Sequence, residues 1–467
     1  MAKKVICDMT KGSPMKHIII FSIPLILGNL FQVFYNMVDS IIVGRTLGVE
    51  ALAGVGVAGS LHFLVIGFSS GITSGFGIIV AQRFGANDPE GVRRSVAMGT
   101  VLNLCFSILL TSVSVGFTMP ILKWMHTPAD IIQNAYDYIV VIFMGISATM
   151  FFNYLSCIIR ALGDSKTPLY FLMIASATNI ILDFVFILFF HMGTAGAGLA
   201  TVIAQALSGL LCLLLIVKKF PMLHVKRKHW RWDSRFAWIH LRLGLPMALQ
   251  FSITASGVMI VQSVLNGFGS TTVAGYTAAN KIEQLITQPL IAFGVTMATY
   301  IGQNYGAGNA ERIKQGTKSC MLLVTLFSVF GSLLIFFFGS GFTKIFVGNG
   351  QTDVIAAART YLVITCFFYL ILGYLIMFRN TLQGMNNSIV SLLGSGTELI
   401  SRIIFAILLS KYLGYAGVCF ASPFAWTTAG ILYIVQFIFD IKKFKKQLAK
   451  RYTQPQHPDN KITADAQ

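Results

Sequence analysis

Gln82-Arg83-Phe84-Gly85-Ala86 returns as Gln303-Asn304-Tyr305-Gly306-Ala307, an offset of 221 residues. At the same offset Ala53-Gly54 recurs as Ala274-Gly275, Gly163 as Gly384, and Gly193-Thr194-Ala195-Gly196 as Gly414-Tyr415-Ala416-Gly417. Four markers on one offset describe a unit of about half the chain that occurs twice. Working outward from them, each unit resolves into six apolar stretches, and the whole chain into twelve: 17–42, 52–82, 95–121, 132–158, 169–190, 195–217, 236–266, 274–303, 316–340, 355–380, 389–410 and 413–438. Most exceed the ~20 residues that cross hydrocarbon, so tilt or extension beyond the bilayer is expected. Six helices per unit bring both copies into the membrane from the same side, as parallel repeats related by an axis along the membrane normal. The expected fold is all-α, with twelve transmembrane helices in two six-helix lobes, 1–217 and 236–440. Residues 218–235 form a charged linker and 441–467 a basic tail.

Composition agrees with a polytopic membrane protein. Hydrophobic residues make up 55% of the chain and charged residues 11%, against about 25% charged in soluble domains. A soluble protein of this length needs more polar surface to cover its core. Lys3, Lys4, Lys11 and Lys16 precede the first apolar run as in a signal peptide. No small-residue cleavage site follows and the run is long, so the segment reads as a retained first helix.

The net charge of +18 raises nucleic acid as a partner, and its distribution argues against one. One side of the membrane receives the N-terminus, Arg83, Arg93, Arg94, Arg160, Lys166, the run from Lys218 to Arg235, Arg312, Lys314, Lys318, Arg379 and the tail from Lys442 to Arg451. The other side receives only Arg45, Lys123, Lys344, Arg359 and Lys411. This bias places both termini in the cytoplasm, and the basic loops are topology signals. The seven cysteines are scattered, with no metal or redox spacing, and read as small core hydrophobes.

Four acids fall within the spans: Asp39, Asp183, Glu283 and Glu398. An intramembrane carboxylate costs at least ~2.5 kcal/mol on insertion scales, which makes each a functional candidate. Asp39 sits near the outer end of the first span. Asp183 lies ~21 Å along the fifth span, and Thr201 ~9 Å into the sixth from the opposite side, so the two share a layer. Asn179 is one turn before Asp183 on the same face, and Tyr138 enters the fourth span to a similar depth. At the 221-residue offset Asp39, Asn179 and Asp183 map to Ile260, Ile400 and Ile404. The scaffold is duplicated and this polar cluster is not, which separates the cluster from scaffold needs. Glu398 precedes Arg402 by four residues, the spacing of a helical ion pair. Glu283 is a candidate for facing a central cavity and binding cations. Pro24, inside the first span, removes a backbone hydrogen bond and is expected to bend it below Asp39.

Gly54-Val55-Gly56-Val57-Ala58-Gly59 fits a dinucleotide pattern only formally. No strand precedes it and no acid follows about 20 residues on, so close helix packing by small residues explains it better. The chain shows no phosphate loop, HExxH or serine elbow.

Together, Ile23-Pro24 leading to Asp39, Gln82-Arg83-Phe84-Gly85-Ala86, Arg160-Ala161-Leu162-Gly163-Asp164, and Asn179 with Asp183 resemble multidrug and toxic compound extrusion (MATE) transporters over about residues 12–440. The resemblance implies two lobes around a cleft and efflux of cationic organic compounds driven by H⁺ or Na⁺, a route to xenobiotic export and antibiotic resistance. It implies the coupling aspartate at Asp39, with Gln32, Tyr138, Asn153, Asn179, Asp183 and Thr201 as polar neighbours. Acids that the NorM-like branch carries in helices 7 and 10 are absent from 236–266 and 355–380, which is closer to the DinF-like branch.

The expected protein is thus a cell-membrane antiporter, acting as a monomer without a cofactor, that exports small organic cations by alternating access. Burial and mutual repulsion suit Asp39 and Asp183 to hold a proton. Asp39, Asn179, Asp183 and Thr201 equally offer Na⁺ an all-oxygen site, and the sequence leaves the two open. A flippase for lipid-linked precursors is the rival of related architecture. It calls for a cleft lined with basic residues, and few lie within the spans. An intramembrane enzyme calls for a nucleophile–base pair or a His/acid metal cluster, and the histidines are dispersed. A passive channel has no need of the asymmetric carboxylates.

Overall fold

The computed structural model describes residues 7–348 and 350–453. Lys3, Lys4 and the tail beyond Thr453 lie outside the described residues. Fourteen α-helices follow one another: α1 Pro14–Leu47, α2 Val49–Gly85, α3 Pro89–Trp124, α4 Ile132–Met144, α5 Ile146–Ala161, α6 Lys166–Phe184, α7 Gly193–Lys219, α8 Ser234–Asn266, α9 Ser270–Gly306, α10 Ala310–Val347, α11 Thr352–Cys366, α12 Tyr369–Gly384, α13 Ser388–Leu413 and α14 Tyr415–Thr453. Ten are long and apolar enough to cross a membrane alone. The pairs α4/α5 and α11/α12 cross as broken spans, bent by 50° and 55°. Twelve crossings result, with the breaks at equivalent places in the two units.

The repeat shows in how helices begin. Asp88 caps α3 by accepting from the Gly91 N–H at 2.8 Å, and Asn309 caps α10 by accepting from Arg312 N–H at 3.1 Å. The two caps stand 221 residues apart, and each satisfies an orphan donor of the first turn. The break between α4 and α5 falls at Gly145, where an added Cβ would lie 2.1 Å from Val202 on α7. Close approach of α7 therefore requires glycine there, and hydropathy alone runs straight through it.

Both lobes meet at the end of the bundle where α1 starts. On α2, a Cβ at Gly71 would lie 2.5 Å from Ala248 of α8, and one at Gly75 2.5 Å from Gly244. Farther along, a Cβ on Gly85 would sit 1.9 Å from the Gln303 carbonyl oxygen, and one on Gly306 1.9 Å from that of Gln82. Two side-chain amides cross the same seam reciprocally. Gln82 Nε2 donates to the Gly384 carbonyl at 2.9 Å, and Gln303 Nε2 to the Ala161 carbonyl at 2.8 Å. The recurrent motif Gln82–Ala86 and Gln303–Ala307 is thus the two-fold seal between the lobes. The segment before α1 reinforces it: Cys7 N–H donates to the Leu162 carbonyl at 3.1 Å, and Met9 N–H to Gln303 Oε1 at 2.9 Å. Arg312 holds the same segment through the Met9 and Gly12 carbonyls, each at 2.8 Å.

The linker is pinned as well. Asp233 caps α8 and pairs with Arg94 of α3. The Phe236 N–H, followed by Arg94, holds its carboxyl below the usual range. Arg94 also lies 4.7 Å over the Phe236 ring. Glu90, Lys228 and His229 form a second tie between α3 and the linker.

Candidate functional site

Three helices of the first lobe converge on a buried polar pocket. α1 brings Asp39, α6 brings Asn179 and Asp183, and α7 brings Thr201. Asp39 is 8% exposed, Asn179 and Asp183 0%. The carboxyl groups of Asp39 and Asp183 are neighbours in this pocket, close enough for the charge of one to act on the other. Asn179 Nδ2 donates to Thr201 Oγ1 at 3.2 Å, and Thr201 donates onward to the Ala197 carbonyl at 3.2 Å. Tyr138 of α4 is buried beside both aspartates. The residues placed in one layer by counting along separate spans are therefore brought together.

Several acceptors of this pocket go unpartnered. Asp39 Oδ1, Asn179 Oδ1 and both carboxyl oxygens of Asp183 are buried without a hydrogen-bond partner. Buried acceptors in this state are costly, and buried carboxylates all the more so. Two carboxylates at ~4 Å repel by about 4 kcal/mol at an effective dielectric of about 20. Both costs are relieved by one added positive charge, a shared proton or a small cation among the oxygens. Among the described residues no three His, Cys, Asp or Glu side chains gather as metal ligands.

Two features of the pocket escaped the sequence reading. Tyr35 reaches Thr201 from α1 and stands close to both aspartates. Its signal was the four-residue spacing to Asp39, one helical turn on the same face. Directly after Asp183 the backbone leaves α-helical geometry for a π-helical segment, Val185–Phe189. Such segments occur preferentially at functional sites.

Other expected residues lie elsewhere. Gln32 is half-exposed and donates to Asn36 at 3.1 Å. Asn153 sits on α5, beyond the break at Gly145, and is half-buried. Pro24 lies inside a continuous α1, which has no break there. Glu283, on α9, does not line the cavity between the lobes. It is buried in the second lobe and accepts a hydrogen bond from Tyr361 Oη at 2.6 Å.

The second lobe carries buried polar residues of its own, arranged differently from the cluster of the first lobe. Ile400 and Ile404 are 60% and 46% exposed, so α13 presents a different face inward than α6 does at the strict offset. Its buried charged residues are Glu398 and Arg402, paired at 2.5 Å. The lobes differ in pairing: Glu398 of the second lobe has its own cation in Arg402, whereas neither Asp39 nor Asp183 forms an ion pair among the described residues. Arg402→Met is accordingly expected to lower unfolding stability by about 3 kcal/mol or more, because it strands a buried carboxylate. The double variant Glu398→Gln/Arg402→Met should recover most of that loss in a detergent-melting series. A milder loss in the single variant than in the double would exclude the pairing role.

A further finding concerns the basic residues. Arg160 at the end of α5 and Arg379 on α12, read from sequence as topology signals, line a cavity of about 190 Å³ between the lobes, just above the seal.

The family model described as MatE matches residues 24–185 and 246–408, one segment in each lobe. A probable multidrug resistance protein of Bacillus subtilis (strain 168), YpnP, is 30% identical over 420 residues, which span 88% of this chain and 92% of that protein. The probable multidrug resistance protein NorM of Thermotoga maritima is 24% identical over 86% of this chain and 87% of its own length. The fold superposes with a TM-score of 0.89 on the solved outward-facing conformation of a multidrug resistance MATE family transporter of the MOP superfamily, at 23% identity over 95% of this chain and 99% of that one.

Proposed function

Because this chain belongs to the MATE family of multi-pass membrane transporters, we propose that it is a secondary multidrug exporter whose ion-coupling site is the pocket of Asp39, Asn179, Asp183 and Thr201. The observation that carries this reading is the neighbouring pair of buried carboxyls with unpartnered oxygens. Occupation of the pocket by H⁺ or Na⁺ neutralises it, and release of that ion restores the repulsion. A cycle that exchanges the ion for an outgoing compound follows if the two states favour different openings of the cleft.

Charge distribution puts the sealed end in the cytoplasm. The lobes then close on the inside and part toward the outside, an outward-facing arrangement. Return to the inward-facing state requires release of the glutamine seal and of residues 7–12. Pro24 lowers the cost of bending α1 between that seal and Asp39, because it supplies no N–H to the helix.

The substrates proposed are small amphipathic compounds, lipophilic cations among them, drawn by the carboxylates of the first lobe. Everted vesicles from an overexpressing, efflux-deficient host test this. Ethidium-like dyes should accumulate only while an ion gradient is maintained. Absence of gradient-dependent uptake for every cation tried would instead favour the flippase reading, which Arg160 and Arg379 in the cavity support.

A further inference from the structure

We propose that the cavity between the lobes is an anion subsite that holds the phosphate or carboxylate headgroup of an amphiphile between Arg160 of one lobe and Arg379 of the other. Arg160 and Arg379 share its wall with the neutral polar residues Ser74, Gln250, Thr299, Asn380 and Gln383, and no acid lines it. Neither arginine forms an ion pair among the described residues. Arg160 donates to Cys157 Sγ at 3.0 Å, and a thiol is a weak acceptor. Arg379 Nε is buried with no partner at all.

Positive-inside topology accounts for arginines in loops, where water solvates them. It gives no reason to set two half-buried guanidinium groups without a carboxylate partner around one cavity, with the Nε of Arg379 fully buried and unpaired. A planar guanidinium matches carboxylate and phosphate oxygens with paired donors. The neutral groups beside them are built in: Gln250 and Gln383 are buried, and Gln383 Nε2 donates to Gln250 Oε1 at 2.8 Å.

Size sets the ligand class. A cavity of about 190 Å³ falls below the ~300–1,000 Å³ of sites that enclose drug-sized ligands, so it takes a headgroup and leaves the tail to the apolar cleft. Phe251, Ile291 and Val295 continue the wall as apolar surface. The inference goes beyond ion coupling: it adds negatively charged amphiphiles to the compounds the cleft recognises.

Calorimetry on the full chain in neutral-lipid nanodiscs, with no gradient, tests binding separately from coupling. Octyl phosphate and octanoate should bind at least tenfold tighter than octanol, and octyl phosphate at least tenfold tighter than inorganic phosphate. Arg160→Gln and Arg379→Gln should each weaken octyl phosphate at least tenfold. Gln383→Glu, which keeps both arginines and places a carboxylate beside them, should do the same and guards against misfolding of the arginine variants. Octanol binding as well as octyl phosphate, or unchanged affinity in Gln383→Glu and a folded Arg160→Gln, would overturn the proposal. Inorganic phosphate binding as tightly as octyl phosphate would overturn the amphiphile assignment.

Discussion

Asp39→Asn, inserted at wild-type level, is expected to reduce gradient-driven efflux to the background of the empty host. The substitution keeps the shape of the side chain and removes its charge, so the pocket no longer gains from taking up a positive ion. Asp183→Asn should have the same effect for the same reason, since each carboxyl neighbours the other. The double variant should then be no worse than either single variant. Residues that form one site are non-additive, whereas independent residues add. A double-mutant cycle on initial transport rate reads this directly. Two modest losses that sum in the double variant would mean two separate residues and no shared site.

The second large effect is expected at the seal. Gly85→Ala and Gly306→Ala each place a Cβ within 1.9 Å of a backbone carbonyl oxygen of the opposite lobe. No rotamer change relieves a clash with backbone, so the lobes must part at that end. Transport should fall at least tenfold while the protein remains folded, because one of the two alternating states is lost. Cys157, buried on the wall of the inter-lobe cavity, provides the readout. Its alkylation by a membrane-permeant maleimide, followed by mass spectrometry, should accelerate in both variants. Wild-type labelling together with wild-type transport would show that the seal does not carry the cycle.

Much of this architecture was legible because membranes simplify the code. A span must be long, apolar and internally hydrogen-bonded, so twelve crossings could be counted, and a duplicated Gln-x-x-Gly-Ala motif exposed the repeat. The layer shared by Asp39, Asp183 and Thr201 followed from helical rise alone. The breaks at Gly145 and near Phe367 were hidden, because they depend on a neighbouring helix and leave hydropathy unchanged. The inward face of α13 was hidden for a related reason: a constant offset carries sequence register and not helix rotation, and α13 buries Glu398 and Arg402 while exposing Ile400 and Ile404. Arg160 and Arg379 were placed at the correct end of the bundle. Their position on the cavity wall was decided by the packing of the two lobes, which no single lobe encodes.

Proteoliposomes carrying wild type, Asp39→Asn or Asp183→Asn, with a pH gradient or a Na⁺ gradient imposed separately, test the coupling site most directly. At least one gradient should drive substrate transport by wild type, and neither should drive it in the variants, although substrate still binds them in the absence of a gradient. A folded Asp39→Asn protein that still responds to the same gradient as wild type would contradict the assignment.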